Sequence, residues 1–263
     1  MQKFPSLVVL KFGGSVLTGR DSIPFAVQEV SRQLGSHDRI VAVVSAFKGQ
    51  TDALERAALS LCGLPSPEAL AFYMGLGELW TVGELTLGLQ AAGIRATVRL
   101  PSDVWLLSNG PTLEASPVAV SGQRFQEAFE DHSVVVFPGF IGRGRDGQPH
   151  LLGRGGSDLT AIFLAAELGA ERCVLLKDAP GLYEWDPAPD GPRPRRYERL
   201  SWDDAIALGA RMLKPAHADY ARARSVVVEV MSPGSSCSTV VGPDASRFAP
   251  PDEIEQSGHG TRE

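Results

Sequence analysis

Two short glycine-bearing stretches of this chain set cationic side chains where an anion could be held. Leu7-Val-Val-Leu10 is an apolar run that reads as a strand buried on both faces, and Lys11-Phe-Gly-Gly-Ser15 follows it at once. Gly13 and Gly14 have no Cβ, so backbone N–H groups can close on an anion and the chain can turn sharply, with Lys11 as a point charge beside the nest. An ordinary strand-to-helix turn with an incidental lysine would use the same residues. The second stretch, Gly153-Arg-Gly-Gly-Ser-Asp158, opens directly into an apolar run over 159–168. Ser157 or Asp158 can cap that helix, whose first N–H groups would then point at a phosphate. An arginine, two glycines and an acid together exceed what capping requires.

Further candidates follow the same pattern. Lys177-Asp178 stands at the end of a predicted strand over 173–176. Tyr183, Trp185 and Asp186 put two aromatics beside an acid, which suits a nucleotide base and ribose; a packed surface loop would use them too. Residues 65–89 are helical in pattern but carry Gly75, Gly77, Gly83 and Gly88. Each glycine costs a helix about 1 kcal/mol against alanine, so some should mark close packing or the approach of a ligand. Glu78 lies among them, and Glu84 reads as a solvated acid.

The elements that must position these residues alternate. A helix is predicted over 23–34, a buried strand over 39–45, a polar loop over 46–52 and a helix from 53 to 61. Strand, polar loop and helix thus occur twice, the rhythm of a parallel α/β sheet. Ligands of such sheets bind outside the carboxyl ends of the strands, which places Lys11, Ser15, Ser45, Thr51 and Asp52 on one edge. Beyond this come a strand over 94–100, an irregular stretch over 101–119, a helix over 123–129 and a strand over 133–137. A hairpin over 138–149 turns at Asp146-Gly147. Helices over 202–213 and 215–223 and strands over 225–230 and 238–242 complete the pattern, and 187–194 is a proline-rich excursion.

Composition sets outer bounds. The 263 residues are 43% hydrophobic and 21% charged, ordinary for a globular protein. The net charge of −6 argues against a general nucleic-acid or anionic-membrane surface, while leaving room for a local basic pocket. Cys62, Cys173 and Cys237 are scattered without CxxC spacing, so they read as small buried apolar residues in a reducing cytoplasm. No signal-like segment or membrane-length apolar run occurs in the sequence.

In order and content these motifs resemble the amino acid kinase superfamily, and within it the aspartate kinase catalytic domain. The resemblance runs from about residue 7 to 242 and is carried by Lys11-Phe-Gly-Gly-Ser15, Val43-Val-Ser-Ala46 with Thr51-Asp52, Gly77-Glu78 and Gly153-Arg-Gly-Gly-Ser-Asp158. Lys177-Asp178, Pro180-Gly-Leu-Tyr183, Asp186-Pro187 and Gly209-Ala-Arg-Met-Leu213 continue it. It implies a three-layer α/β/α sandwich around a largely parallel sheet, with ATP over the C-terminal half and a small amino-acid substrate over the N-terminal half. The implied reaction moves the γ-phosphoryl group of MgATP to the side-chain carboxylate of L-aspartate. Lys11 and Asp158 would be catalytic, and Lys11, Gly13, Gly14, Ser15, Gly155, Gly156 and Arg211 would meet phosphate. Arg154 would fork onto the substrate α-carboxylate, Glu78 would accept from its ammonium, and Ser45 and Thr51 would flank the acceptor carboxylate. Lys177, Asp178, Tyr183, Asp186 and Arg211 would hold the nucleotide. Mg2+ would be bound chiefly through the phosphates, with no protein ligand named. The resemblance also suggests a homodimer.

This chain departs from the family pattern in places. Gly209-Ala-Arg-Met-Leu-Lys-Pro215 has Arg211 where lysine is usual and Lys214 where histidine is usual. Lys177-Asp-Ala-Pro-Gly181 replaces a Thr-Asp-Val-Asp-Gly pattern, and Leu79 replaces an arginine. Other acceptors therefore stay open, namely N-acetylglutamate, glutamate or a specialised metabolite acid, as does a nucleotide-binding homologue without transfer. About 20 residues follow the last predicted strand, fewer than an ACT regulatory domain needs. The expectation is one catalytic domain over 1–245, a disordered tail over 246–263 and no ACT domain.

Overall fold

The computed structural model describes residues 6–185, 194–209 and 213–250. Leu7–Phe12 forms β1, buried along its whole length. A short 3-10 turn at Arg20–Ser22 leads to α1 (Ile23–Leu34), β2 (Arg39–Val44), α2 (Gln50–Leu61) and the 25-residue α3 (Pro67–Ala91). Next come β3 (Ala96–Val98), β4 (Leu107–Asn109), β5 (Ser116–Ala119), α4 (Gly122–Asp131) and β6 (Val134–Pro138). Then follow β7 (Ile141–Arg143), β8 (Pro149–Leu151), α5 (Gly156–Leu168) and β9 (Arg172–Leu176). The last part holds β10 (Tyr197–Ser201), α6 (Trp202–Leu208), α7 (Pro215–Ala223), β11 (Val228–Met231), β12 (Ser238–Gly242) and β13 (Arg247–Phe248).

Nine strands make the main sheet in the order β13-β10-β12-β11-β9-β1-β2-β6-β3. Its pairings are parallel except β11 with β12 and β10 with β13, so the largely parallel sheet expected from the sequence is present. Side chains alternate across β1. Leu7 and Val9 join the core under α5, and Val8, Leu10 and Phe12 join the core under α1 and α3. Two cores on opposite faces of one sheet make a three-layer α/β/α sandwich. The same alternation turns Lys11 toward α5. Strands up to β6 lie on one side of β1 and β9 lies on the other, so the chain reverses direction of growth between β1 and β9. Open α/β sheets bind ligands at such a switch point, and Lys11 and Lys177 both stand there.

Several elements differ from expectation. The stretch 101–119 is not irregular throughout, because β4 and β5 pair with β7 and β8 in a second, four-stranded sheet. These strands are three or four residues long, too short for alternation to show. The helix expected over 202–213 ends at Leu208, where Gly209 turns left-handed at φ 56°. The boundary at 245 also shifts. Arg247–Phe248 pairs with β10, and Phe248 stacks on Tyr197 with ring centroids 4.4 Å apart, so 246–250 belong to the fold. Residues 251–263 and most of the proline-rich excursion lie outside the described residues. Cys62 is exposed, against the expectation of burial; Cys173 is buried and Cys237 half-buried. No helix among the described residues is long and apolar enough to cross a membrane.

The end of β6 shows how tightly the layers meet. Gly139 follows Pro138, and Phe140 then adopts φ 65°, with its N–H donating to Thr160 Oγ1 on α5 at 3.2 Å. A Cβ at position 139 would lie 2.5 Å from Ser157 Cβ and 2.8 Å from Ser157 Cα. Gly139→Ala should therefore destabilise the protein by about 1–3 kcal/mol, because the first turn of α5 must move to admit one methyl. Urea unfolding measures this, and an unchanged midpoint with an unchanged slope would reject the packing described.

Candidate active site

Lys11 and Lys177 share one carboxylate. Lys11 Nζ lies 2.6 Å from Asp158 Oδ1, and Lys177 Nζ donates to Asp158 Oδ2 at 2.9 Å. Lys11 belongs to β1, Lys177 follows the last residue of the adjacent β9, and Asp158 comes from the first turn of α5. All three are largely buried, with Lys11 and Asp158 only 6% and 7% exposed. Burial alone would raise the Asp158 carboxyl, but the two ammoniums overcome it and hold it well below the ordinary carboxylate range. Burial pulls the Lys11 ammonium down despite Asp158, and Lys177 adds to that pull. Two cations on one anion leave a net positive charge at the carboxyl ends of β1 and β9.

Gly13 is not left-handed and has a different reason for being glycine. A Cβ there would meet Lys11 Nζ at 2.7 Å, so its bareness gives the ammonium room. Its carbonyl accepts from Val16 and Leu17 at 2.9 and 2.8 Å, which closes the turn. Gly14 packs against the Lys48 backbone, and Ser15 is half-buried beside it.

A cleft of about 360 Å³ opens over Lys11. Its walls include Ser45, Thr51, Glu78, Arg154, Gly155 and Gly156, so six residues chosen from the sequence converge with Lys11 on one space. Ser45 follows β2 and Thr51 lies in the first turn of α2, whose preceding Gly49 is left-handed at φ 77°. Asp52, Glu55, Met74, Glu114 and Phe140 also line the cleft. Of these only Asp52 was legible in the sequence, as a polar residue on the strand-end edge.

Glu78 is the least comfortable group in the molecule. It is 2% exposed, Oε1 accepts from the Ala46 N–H at 3.2 Å, and Oε2 is buried with no hydrogen-bond partner. Burial pushes its carboxyl up to about 7, against smaller opposing effects from the Ala46 amide and Lys11. Gly77 makes the placement possible. A Cβ there would lie 2.8 Å from Ala46 Cβ, so glycine lets α3 press onto the loop after β2.

The second glycine loop differs in detail from the sequence-based expectation. Gly155, left-handed at φ 77°, precedes α5, and Ser157 and Asp158 lie inside the first turn rather than capping it. A Cβ on Gly155 would crowd Lys214 Cε and His217 Cε1 at 3.0 and 3.1 Å. Lys214 Nζ donates to the Arg154 carbonyl, which gives the unusual lysine at 214 a structural task. His217 is buried, its Nδ1 has no partner, and burial lowers its pKa. Sequence reasoning missed His217. Pro215 marks the start of α7, and helical spacing from the buried Ala218 and Ala221 was the available signal.

The residues expected at the nucleotide are placed apart from this cleft. Asp178 is exposed after β9, and Tyr183 is half-buried in an isolated bridge to Arg196. Lys177 points to Asp158 instead of outward. Asp186 and Arg211 lie outside the described residues.

An α/β/α sandwich with paired lysines and two glycine loops at its switch point defines a class, and residues 6–231 match it: this chain belongs to the amino acid kinase family. Among its relatives, an aspartokinase of Thermus thermophilus is 34% identical over 230 residues, covering 86% of this chain and 56% of the relative. An aspartate kinase of Pseudomonas putida is 30% identical with the same coverage. The solved aspartate kinase from Synechocystis superposes with a TM-score of 0.77 at 28% identity, over 92% of this chain and 41% of that one. The chain thus spans about half the length of the curated relatives it matches.

Two expectations follow. Asp158→Asn leaves two buried ammoniums without a counter-charge and should cost about 3–5 kcal/mol, read as a fall in denaturation midpoint. A midpoint within error of the parent would mean that the shared carboxylate does not hold the site together. Glu78 behaves with the opposite sign. Its folded pKa lies above the ordinary 4.5, so the stability it contributes is present below that value and is lost as pH rises to about 7. In ligand-free protein, Glu78→Gln should therefore be more stable than the parent at about pH 8, on the order of 2–4 kcal/mol, with the gap closing toward pH 5. A gap independent of pH would contradict this.

Proposed function

We propose that this chain transfers the γ-phosphoryl group of ATP to the side-chain carboxylate of L-aspartate, giving 4-phospho-L-aspartate. The observation that carries the proposal is Glu78 Oε2, a buried carboxylate oxygen without a partner on the wall of the cleft over Lys11. A substrate ammonium would supply the missing partner. Arg154 stands exposed at the same cleft, and no acid among the described residues pairs with its guanidinium. An anchored ammonium and a forked α-carboxylate select a free α-amino acid, and a cleft of this size suits a small one. An N-acetylated acid offers Glu78 nothing. The aspartokinase names of relatives that are 30–34% identical point the same way.

The chemistry asks little else of the protein. A side-chain carboxylate is already ionised at neutral pH, so transfer needs no general base. It needs the acceptor held in line and the negative charge on the moving group offset. Ser45 and Thr51 flank the acceptor carboxylate, and Lys11 meets the phosphoryl group with Gly13, Gly14, Ser15, Gly155 and Gly156 around it. ATP lies toward Asp178 and Tyr183, with Asp186 and Arg211 in the same role. Both oxygens of Asp158 face ammoniums, so Mg2+ would be carried on phosphate oxygens and water and would offset charge there.

Incubation with MgATP, hydroxylamine and a panel of acids tests the assignment. Aspartyl hydroxamate should form from L-aspartate, with little from glutamate or N-acetylglutamate. Preference for another acid would replace the substrate, and no product from any acid would leave a nucleotide-binding homologue. Arg154→Ala should raise KM for aspartate about 10–100-fold, as expected for a lost charge-assisted pair. An unchanged KM would remove Arg154 from the substrate site.

A further inference from the structure

The starts of α5 and α7 meet at Gly155, and the histidine between them does not line the cleft over Lys11. α7 packs against α5, with Lys214 as its N-cap residue and His217 in its first turn. A Cβ on Gly155 would lie 3.0 Å from Lys214 Cε, 3.3 Å from Lys214 Nζ and 3.1 Å from His217 Cε1. Cε1 is bonded to both ring nitrogens, so the polar edge of the imidazole is the edge turned to the glycine loop. The residue is only 6% exposed, and Nδ1 is buried without a hydrogen-bond partner. A polar group buried in that state costs stability until something else completes it.

The surrounding charge points to an anion. Each helix start carries unpaired N–H groups and the positive end of its macrodipole. The charged groups that act on the imidazole are Asp158 on α5, Lys214 at the start of α7, Lys177 beyond β9 and Lys11 on β1. Three ammoniums thus stand against one carboxylate, which Lys11 and Lys177 already occupy. Burial first, and then the ammoniums, outweigh Asp158 and lower the imidazole below its ordinary 6.5, so the ring is neutral at pH 7. Two helix starts, an excess of positive charge and an imidazole edge without a partner together suit a phosphate. Gly155 lines the acceptor's cleft and His217 does not, so an anion at the imidazole belongs to the phosphoryl donor.

We infer that His217 binds the phosphate chain of the nucleotide and takes up a proton as it does so, which makes nucleotide affinity rise as pH falls. The ligand is the ATP of the transfer proposed for this chain, and the role of His217 rests on that reading. An incoming phosphate oxygen gives the ring the partner it lacks, and its negative charge favours the imidazolium.

The Cε1–H resonance of His217, identified among the five histidines by its loss in His217→Asn, follows this titration directly. In the free protein its midpoint should lie below 6.5, and saturating MgADP should raise it by about one pH unit. His217→Leu should weaken MgADP binding about 10–100-fold, as for a lost hydrogen bond to a charged group. His217→Asn keeps an amide near the place of Nδ1 and should weaken binding less. From about pH 8 to about pH 5.5, the parent's affinity should gain about fivefold over that of His217→Leu. The KM for aspartate should stay within about twofold of the parent's in both variants, which a general loosening of the site would not allow. A midpoint that MgADP leaves in place, or a His217→Leu affinity equal to the parent's, would overturn the inference and leave the transfer reading standing. A parent that binds no MgADP would overturn both.

Discussion

The site depends on a single carboxylate that serves two ammoniums. β1 and β9 run parallel with Lys11 opposite Leu175, so Lys177, two residues further on and just past β9, emerges on the same α5 face beside Lys11. Like charges that close in a dry place would push the strands' ends apart or shed a proton. Asp158 settles the conflict by lying between them, 2.6 and 2.9 Å away. It can do so because Gly155 and Gly156 let the first turn of α5 come down onto the sheet, where Leu152 and Phe140 would otherwise block a Cβ on Gly156. Strand alternation, a helix start and two missing methyl groups thus converge on one electrostatic result. That result is a fixed positive excess where a phosphoryl group would pass.

On the other side of the cleft the logic is reversed. Glu78 is buried before any partner arrives, and α3 is held there by the bare Cα of Gly77 against Ala46. One wall therefore carries a charge that is satisfied and structural. The other carries a carboxyl with one oxygen that no hydrogen bond satisfies. In the proposed function, binding energy from an incoming ammonium would be realised at Glu78 without disturbing the lysine pair, and recognition would stay separate from the chemistry of transfer.

Much of this was legible in the residues. Long apolar strands with glycine loops behind them announce a parallel sheet and the edge on which its ligands sit, and Lys11, Ser45, Thr51, Asp52, Glu78, Arg154, Gly155 and Gly156 of the cleft were reachable that way or through the resemblance. The losses have physical causes. β4 and β5 are too short to show a period, whereas the hairpin expected over 138–149 is present as β7 and β8; β10 reads Tyr-Glu-Arg-Leu-Ser, with only Leu200 fully buried. His217 shares the buried face of α7 with Ala218 and Ala221, and a single histidine at that spacing reads as an ordinary core residue. The resemblance places Lys177 at the nucleotide; strand parity, which turns it toward Asp158, becomes decisive only once the register with β1 is known. Gly13 was read as a backbone hinge, whereas what it provides is room for a side chain two residues earlier.

Lys214 reaches the main-chain carbonyl of Arg154, not its side chain. The strut that joins α7 to the glycine loop is therefore blind to which residue occupies position 154. Over evolutionary time the guanidinium could be exchanged for a shorter or uncharged group, re-targeting the pocket to a different acid, without cutting the link that keeps the loop in place. With Arg154 in the proposed substrate role, scaffold and selectivity would meet at one residue but be encoded in separate atoms of it, and that separation would give the same architecture latitude to acquire new acceptors.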